Sequence, residues 1–226
     1  MKKNLLAAAM LSALSAGVMA QSAFEGFYGQ VGIGYESVSP TLTNRQITIP
    51  SVQAAAFNMN SSSSSADSMV GVFTLGYNHS LTKEFLLGVG VDYSPFAGSK
   101  GNYTLSNSTL GTADGNYQKL NSYNIFLSPG YVIDKDKLAY AKVGFSGASV
   151  KVDGERTTNY TGYSLGLGYK QIIEGGLYGF AEGNYMSYGN KTATASGTLR
   201  NGSAYTSSGT SNANAYNLLV GVGYKF

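Results

Sequence analysis

Few residues in this sequence have the types and spacing that chemistry demands. Gly162-Tyr163-Ser164-Leu165-Gly166 fits G-x-S-x-G, the sharp strand-to-helix turn that exposes a serine nucleophile. Here bulky residues alternate with small ones on both sides of the motif and no helical pattern follows. Ser164 therefore belongs inside a strand, on its small-residue face. A serine or acyl-transfer nucleophile also needs a base within hydrogen-bond reach. The single histidine, His79, lies in Asn78-His79-Ser80 beside a turn, where a polar residue needs no special reason. Gly-x-Gly pairs such as Gly32-Ile33-Gly34 and Gly88-Val89-Gly90 lack the following helix whose N-terminus would hold a phosphate. Cysteine is absent and no metal-ligand spacing occurs. The expectation is no catalytic residue, no metal and no cofactor.

What remains is a set of charged residues, and their meaning depends on the elements that carry them. Met1-Lys2-Lys3 followed by the apolar run Leu5 to Val18 reads as a secretory signal peptide over residues 1–20, with cleavage expected between Ala20 and Gln21. The apolar run is shorter than the roughly 20 residues a spanning helix needs. Residues 21–226 read as one domain, with no Pro-rich or charged linker to divide them. The formal charge of +3 falls to +1 once Lys2 and Lys3 are removed, which gives no case for nucleic-acid binding. The absence of cysteine means that no disulfide braces the exported chain.

Period-two alternation marks eight segments, at roughly 24–38, 67–79, 85–96, 120–133, 138–152, 160–173, 176–189 and 213–226. Three connections are tight: 79–84, 134–137 and 174–175. The others, 39–66, 97–119, 153–159 and 190–212, are longer and rich in Ser, Thr, Asn and Gly. Such a strict alternation of short and long connections predicts an eight-stranded antiparallel up-and-down transmembrane β-barrel with short periplasmic turns and long outer loops.

The last strand is the clearest. Tyr216, Leu218, Val220, Val222, Tyr224 and Phe226 share one face, and Asn217, Gly221, Gly223 and Lys225 share the other. A soluble barrel also alternates, but it turns its apolar face inward. The bulky face here is nearly free of charge, whereas the opposite face is mostly Gly, Ser and Asn, small enough for a narrow lumen. A lysine or arginine at the bilayer midplane would cost roughly 2–4 kcal/mol, so a bulky face without charge is expected to meet hydrocarbon. Tyrosine and phenylalanine recur near both ends of the strands: Phe27 with Tyr35, Phe85 with Tyr93, Tyr123 with Tyr131, Tyr163 with Tyr169, and Tyr216 with Tyr224. A spacing of about eight residues, at about 3.4 Å each and a tilt near 40°, spans roughly 20 Å of membrane.

Parity then aims the charged residues inward. Glu36 and Asp92 are expected toward the outer end, Lys170 and Lys225 toward the periplasmic end, and Lys142 and Glu182 at mid-height. Lys142 and Glu182 lie on strands that flank a common neighbour, so they can meet across the lumen. Two readings stay open: charges that only satisfy one another, or a gate on a narrow ion-conducting channel. A wide porin is excluded, because eight strands leave an interior that side chains fill.

The sequence resembles the eight-stranded outer-membrane proteins grouped around the membrane domain of outer membrane protein A and the neisserial opacity proteins. The resemblance covers residues 21–226 in architecture, and its specific motif is the terminal Tyr224-Lys225-Phe226 with Val220 and Val222 at alternate positions. The ladder from Tyr216 to Phe226 looks like the signal such proteins present to the outer-membrane assembly machinery. The resemblance implies the cell outer membrane, contact with its lipid and lipopolysaccharide, and a monomer. No periplasmic cell-wall-binding domain is expected after Phe226. Some relatives of this shape are lipid A-modifying enzymes, but those need a serine, a histidine and a carboxylate together.

The function expected is structural or surface-interacting, carried by outer loops toward a host, phage or neighbouring-cell ligand that the sequence does not name. Asn201-Gly202 between Thr198-Leu199-Arg200 and Ser203-Ala204-Tyr205 is a hairpin signal and predicts a β-ribbon. Asp114-Gly115 is expected to turn a second loop, and Ser61 to Ser65 to be a solvated loop. Lys100, Arg156, Lys191 and Arg200 are placed where lipopolysaccharide phosphates could meet them.

Overall fold

The computed structural model describes residues 22–153 and 156–226. The expected cleavage site, Ala20 and Gln21, lies outside them. Eleven strands form in chain order: β1 Gly26–Ile49, β2 Gln53–Asn58, β3 Asn60–Ser63, β4 Ala66–Ser80, β5 Phe85–Ser94, β6 Lys100–Asn107, β7 Gly111–Asp134, β8 Lys137–Val152, β9 Arg156–Glu174, β10 Leu177–Thr198 and β11 Ala204–Lys225. Eight of them make a ring of antiparallel neighbours, β7-β5-β4-β1-β11-β10-β9-β8, and pairing of β7 with β8 closes it.

The join between first and last strand runs from Tyr28 opposite Lys225 to Thr43 opposite Thr210. In hydrocarbon no water is available to satisfy an open sheet edge, and this join removes the edge. The final residue is tied in as well: the Phe226 amide donates to the Phe27 carbonyl at 2.9 Å.

The exposed side of the ring is apolar. Leu75 is 72% exposed, Leu218 63% and Val220 60%, while Glu36 and Lys142 are buried inside, an arrangement that only lipid around the ring makes favourable. Aromatic side chains pair across strands at both rims. At the periplasmic rim Phe27 lies 4.8 Å from Tyr77 and Phe85 5.2 Å from Tyr131; at the outer rim Tyr35 lies 6.5 Å from Tyr216. Large inward side chains fit the narrow lumen because glycines on adjacent strands make room for them. A Cβ at Gly168 would stand 2.2 Å from the Tyr140 ring, and one at Gly223 2.3 Å from Tyr178.

Above the outer rim the structure departs from the expected loops. The segment 39–66 is largely strand, since β1 continues to Ile49, β2 folds back on it, and β3 pairs with β6. Ser61, Ser62 and Ser63 are therefore in a sheet rather than a free loop. Asp114-Gly115 does not turn: Asp114 pairs with Thr104 and Gly115 with Tyr103, and the chain reverses between Asn107 and Gly111, whose φ is +80°. The connection at 153–159 is shorter than expected, because β8 runs to Val152 and β9 starts at Arg156. The ribbon of β10 and β11 is present, turning at Gly202 with φ +83° and closed by the Leu199 amide on the Ser203 carbonyl at 2.8 Å. These strands stand in water on their outer side and need no apolar outward face, so polar composition there does not mean loop.

Candidate functional site

The interior is filled in layers. At the periplasmic mouth Phe24, Leu86 and Leu138 are buried together with Tyr140. The Asn78 amide fixes Phe24 by donating to its carbonyl oxygen at 3.0 Å. Immediately above, the Lys170 ammonium lies 3.8 Å from the centre of the Tyr28 ring, 5.0 Å from Tyr178 and 5.1 Å from Tyr140. The Lys170 amine thus packs on three ring faces, and it makes no ion pair among the described residues.

The next layer is a cross-brace. Lys142 Nζ donates to Asp92 Oδ2 at 2.6 Å and to Glu182 Oε1 at 2.9 Å, and lies 4.0 Å over the Phe126 ring. Each carboxylate has further donors. Asp92 accepts from Thr74 at 2.8 Å and Asn124 at 3.2 Å; Glu182 accepts from Tyr140 at 2.7 Å and Asn184 at 2.8 Å. Four strands thus meet at one ammonium, and β4 joins them through Thr74 on Asp92. Burying charge is costly unless pairing and hydrogen bonds replace the lost water, and this layer supplies both. Above it Glu36 forms an ion pair with Lys119, both nearly inaccessible.

The structure brings Lys142, Glu182 and Asp92 together. Asp92, expected toward the outer end, and Lys142, expected at mid-height, meet directly, which parity alone did not foresee. Glu36 belongs to a separate pair one layer higher. Lys170 lies beneath the brace, and Lys225 is half-buried at the periplasmic rim beside Gly26. Tyr216, Leu218, Val220, Val222, Tyr224 and Phe226 all face outward and are exposed. Sequence reading missed Lys119, which fell in a segment taken for a loop, and it missed the donors Asn124, Asn184 and Thr74. Parity alone would have turned Lys119 outward, because β7 is inward at Asn124, Phe126 and Ser128 and only the register irregularity between Lys119 and Asn121 brings Lys119 inside.

The motif at Ser164 is structural: its hydroxyl donates to Asn124 Oδ1 at 2.6 Å. His79 is half-exposed and faces Glu25 at 3.8 Å, on the periplasmic side. No cluster of three or more metal-ligating side chains exists among the described residues.

The outermost layer is different again. Val38, Tyr117, Ala148, Tyr160, Met186, Tyr188 and Ala213 form an apolar cluster, and it borders a cavity of about 100 Å³. The Tyr117 hydroxyl donates to the carbonyls of Ser64 at 2.5 Å and Val38 at 3.1 Å. Burial, and then the nearby negative charge of Asp67, push this phenol up to about 12. Tyr103, which donates to Asp153 at 2.6 Å, is raised by burial and then by that hydrogen bond.

A family model of the outer membrane protein beta-barrel domain matches residues 6–226. No curated protein matches the chain at a significant level. Among solved structures, the outer membrane protein OprG from Pseudomonas aeruginosa superposes with a TM-score of 0.58 at 12% identity, over 91% of this chain and 98% of that one. The Escherichia coli outer membrane protease OmpT gives 0.48 at 11% identity, over 92% and 99%. Neisserial surface protein A gives 0.45 at 16% identity, over 89% and 98%. At such identities the likeness to OprG concerns the fold.

Proposed function

The chain belongs to the outer membrane protein beta-barrel family and resides in the outer membrane, and from that premise we propose that it is a closed scaffold that works through its extracellular β-structure. The observation that carries this reading is the filled interior. Lys142 joins Asp92 and Glu182 across the lumen, Lys170 lies on three tyrosine rings beneath, and Glu36 with Lys119 closes the level above. A lumen packed in this way transmits nothing as large as a nutrient. Meanwhile β1, β10 and β11 continue well past the outer aromatic rim, and the far ends of β10 and its turn are polar and exposed. On this reading the barrel is a monomer whose partner is a surface outside the cell, met by the β10–β11 ribbon.

No catalytic role falls to Ser164 or His79, because the serine is held by an amide and the histidine lies at the other end of the barrel. Lipopolysaccharide contact through Lys100, Lys191 and Arg200 belongs to the same proposal, as all three are exposed on the outer structure.

Cells expressing the whole chain are compared with cells in which residues 193–209 are replaced by an Asn-Gly turn, and their sedimentation and phage plating are measured. The ribbon-less barrel is expected to keep its heat-modifiable gel mobility and to lose any aggregation or phage sensitivity that the whole chain confers. Planar-bilayer recordings test the closed lumen: wild type and Glu182→Gln should both be silent. Discrete conductance steps in the wild type that Glu182→Gln alters, with unchanged surface behaviour, would replace this reading with a narrow gated channel.

A further inference from the structure

The cavity in the outermost layer is lined by Val38, Leu42, Tyr103, Tyr117, Val152 and Tyr160, with Arg45 as the one charged residue among its described walls. We propose that this chamber binds a small aromatic monocarboxylate from the medium, with its ring among the tyrosines and valines and its carboxylate on Arg45.

Size comes first. An apolar cavity of about 150 Å³ holds a benzene ring and stays dry when empty, so a chamber of about 100 Å³ admits one ring at most, with its carboxylate at the edge beside Arg45. Chemistry of the walls comes second. The tyrosine hydroxyls are already engaged: Tyr103 on Asp153, Tyr117 on two carbonyls, and Tyr160 with Ser211 at 2.8 Å. What they present to the cavity is ring surface without a spare donor.

Arg45 comes third. It follows Asn44, whose φ is +50°, at the irregularity where the β1–β11 register shifts between Thr43 and Gln46. Its stem crosses Gly209, where a Cβ would stand 2.3 Å from Arg45 Cδ, so the glycine gives the side chain its path. Its Nε is buried and has no hydrogen-bond partner. A buried guanidinium nitrogen without an acceptor is unfavourable, and a carboxylate is the acceptor whose two oxygens match the guanidinium fork. The cavity lies above the Glu36–Lys119 pair, so a ligand entering from outside stops there instead of passing through.

The test uses the purified, folded barrel in detergent, with benzoate as probe, benzamide as its neutral isostere, and calorimetry or ligand-observed NMR as readout. Benzoate should bind saturably, and benzamide about tenfold more weakly or worse, the size of one charge-assisted hydrogen bond. Arg45→Gln should lose the preference for benzoate, and Val152→Phe, which fills the chamber, should abolish binding of both. Lys83→Gln, in the exposed periplasmic connection, should bind benzoate as the wild type does. Heat-modifiable gel mobility shows that each variant is folded. Absence of saturable benzoate binding to the wild type overturns the proposal. So does binding that survives both Arg45→Gln and Val152→Phe.

Discussion

The middle of the lumen and the chamber above it share walls, and in β1 and β8 the inward parity runs on from one to the other, yet their contents are opposite. In β1 the inward side chains change from Gln30 and Glu36 to Val38 and Leu42, while the outward ones change from Val31 and Ile33 to Thr41 and Thr43. β8 repeats the exchange: Lys142 points in and Val143 and Phe145 out below the rim, whereas Val150 and Val152 point in and Ser149 and Lys151 flank them above it. In these two strands the side chains do not change direction; the solvent outside them does. β7 reaches the chamber with Tyr117 only through the irregularity between Lys119 and Asn121. Where lipid surrounds the barrel, apolar residues go outward and the interior keeps the polar ones. Where water surrounds it, the interior becomes an ordinary apolar core.

The largest way to break that comparison is Lys142→Met. It leaves Asp92 and Glu182 facing one another in the lumen without their shared ammonium, and removal of one partner from a buried ion pair costs about 3–5 kcal/mol. Urea unfolding in lipid vesicles, followed by gel mobility, should show a loss of that size. Adding Asp92→Asn and Glu182→Gln should recover most of it, since the uncompensated charge is then gone. A single variant as stable as wild type would show that the brace is wetter than its geometry implies.

Gly168→Ala attacks the same layer through space. The new Cβ would stand 2.2 Å from the Tyr140 ring, so the ring must leave both its place beside Lys170 and its hydrogen bond to Glu182. Overpacking of this kind costs about 1–3 kcal/mol. Gly202→Ala, at the ribbon tip, meets no atom within 4 Å and strains only a left-handed turn. It should leave the barrel's unfolding unchanged.

How much of this was legible in the sequence follows from the same exchange of solvents. A period-two search looks for a face that stays apolar, and it finds the eight ring strands because lipid demands one. Above the rim the apolar side switches, and Leu42, Val152 and Tyr160 sat among serines and threonines that read as loop or strand end. Lys119 was lost because the irregularity between it and Asn121 shifts the parity of β7. Lys142 and Glu182 were legible as neighbours because each lies on the inward parity of a strand flanking β9. Arg45 gave no signal, since its importance comes from a register irregularity and from Gly209 on a partner strand far away in sequence.

Tyr117→Phe sharpens the comparison from the chamber's side. Losing a hydroxyl that serves two carbonyls should cost about 1 kcal/mol at neutral pH. The phenol's ordinary value is about 10 and the folded structure raises it to about 12, so the fold favours the neutral form. That contribution is complete below about pH 10 and is lost as pH rises through the folded value. Proteolysis of the outer strands should therefore accelerate between about pH 10 and 12 in the wild type, and less steeply in Tyr117→Phe. Identical curves would remove Tyr117 from the explanation.

The smallest effect belongs to a second lysine pair, in the periplasmic turn. Lys137 Nζ lies 3.3 Å from Asp134 Oδ2, a contact of the same kind as that of Lys142 with Asp92. The backbone amide of Lys135, and then Lys137 itself, hold the Asp134 carboxyl below its ordinary value. Any stability this gives is present above the ordinary carboxylate value and fades as pH falls through the lowered one. Both side chains are open to water, however, where solvent and salt screen the attraction and side-chain entropy opposes it. Lys137→Met should unfold at the same urea concentration as wild type in physiological salt, measured beside Lys142→Met. If the two variants lose comparable stability, the contact and not its surroundings sets the energy, and the contrast between lumen and solvent would have to be given up.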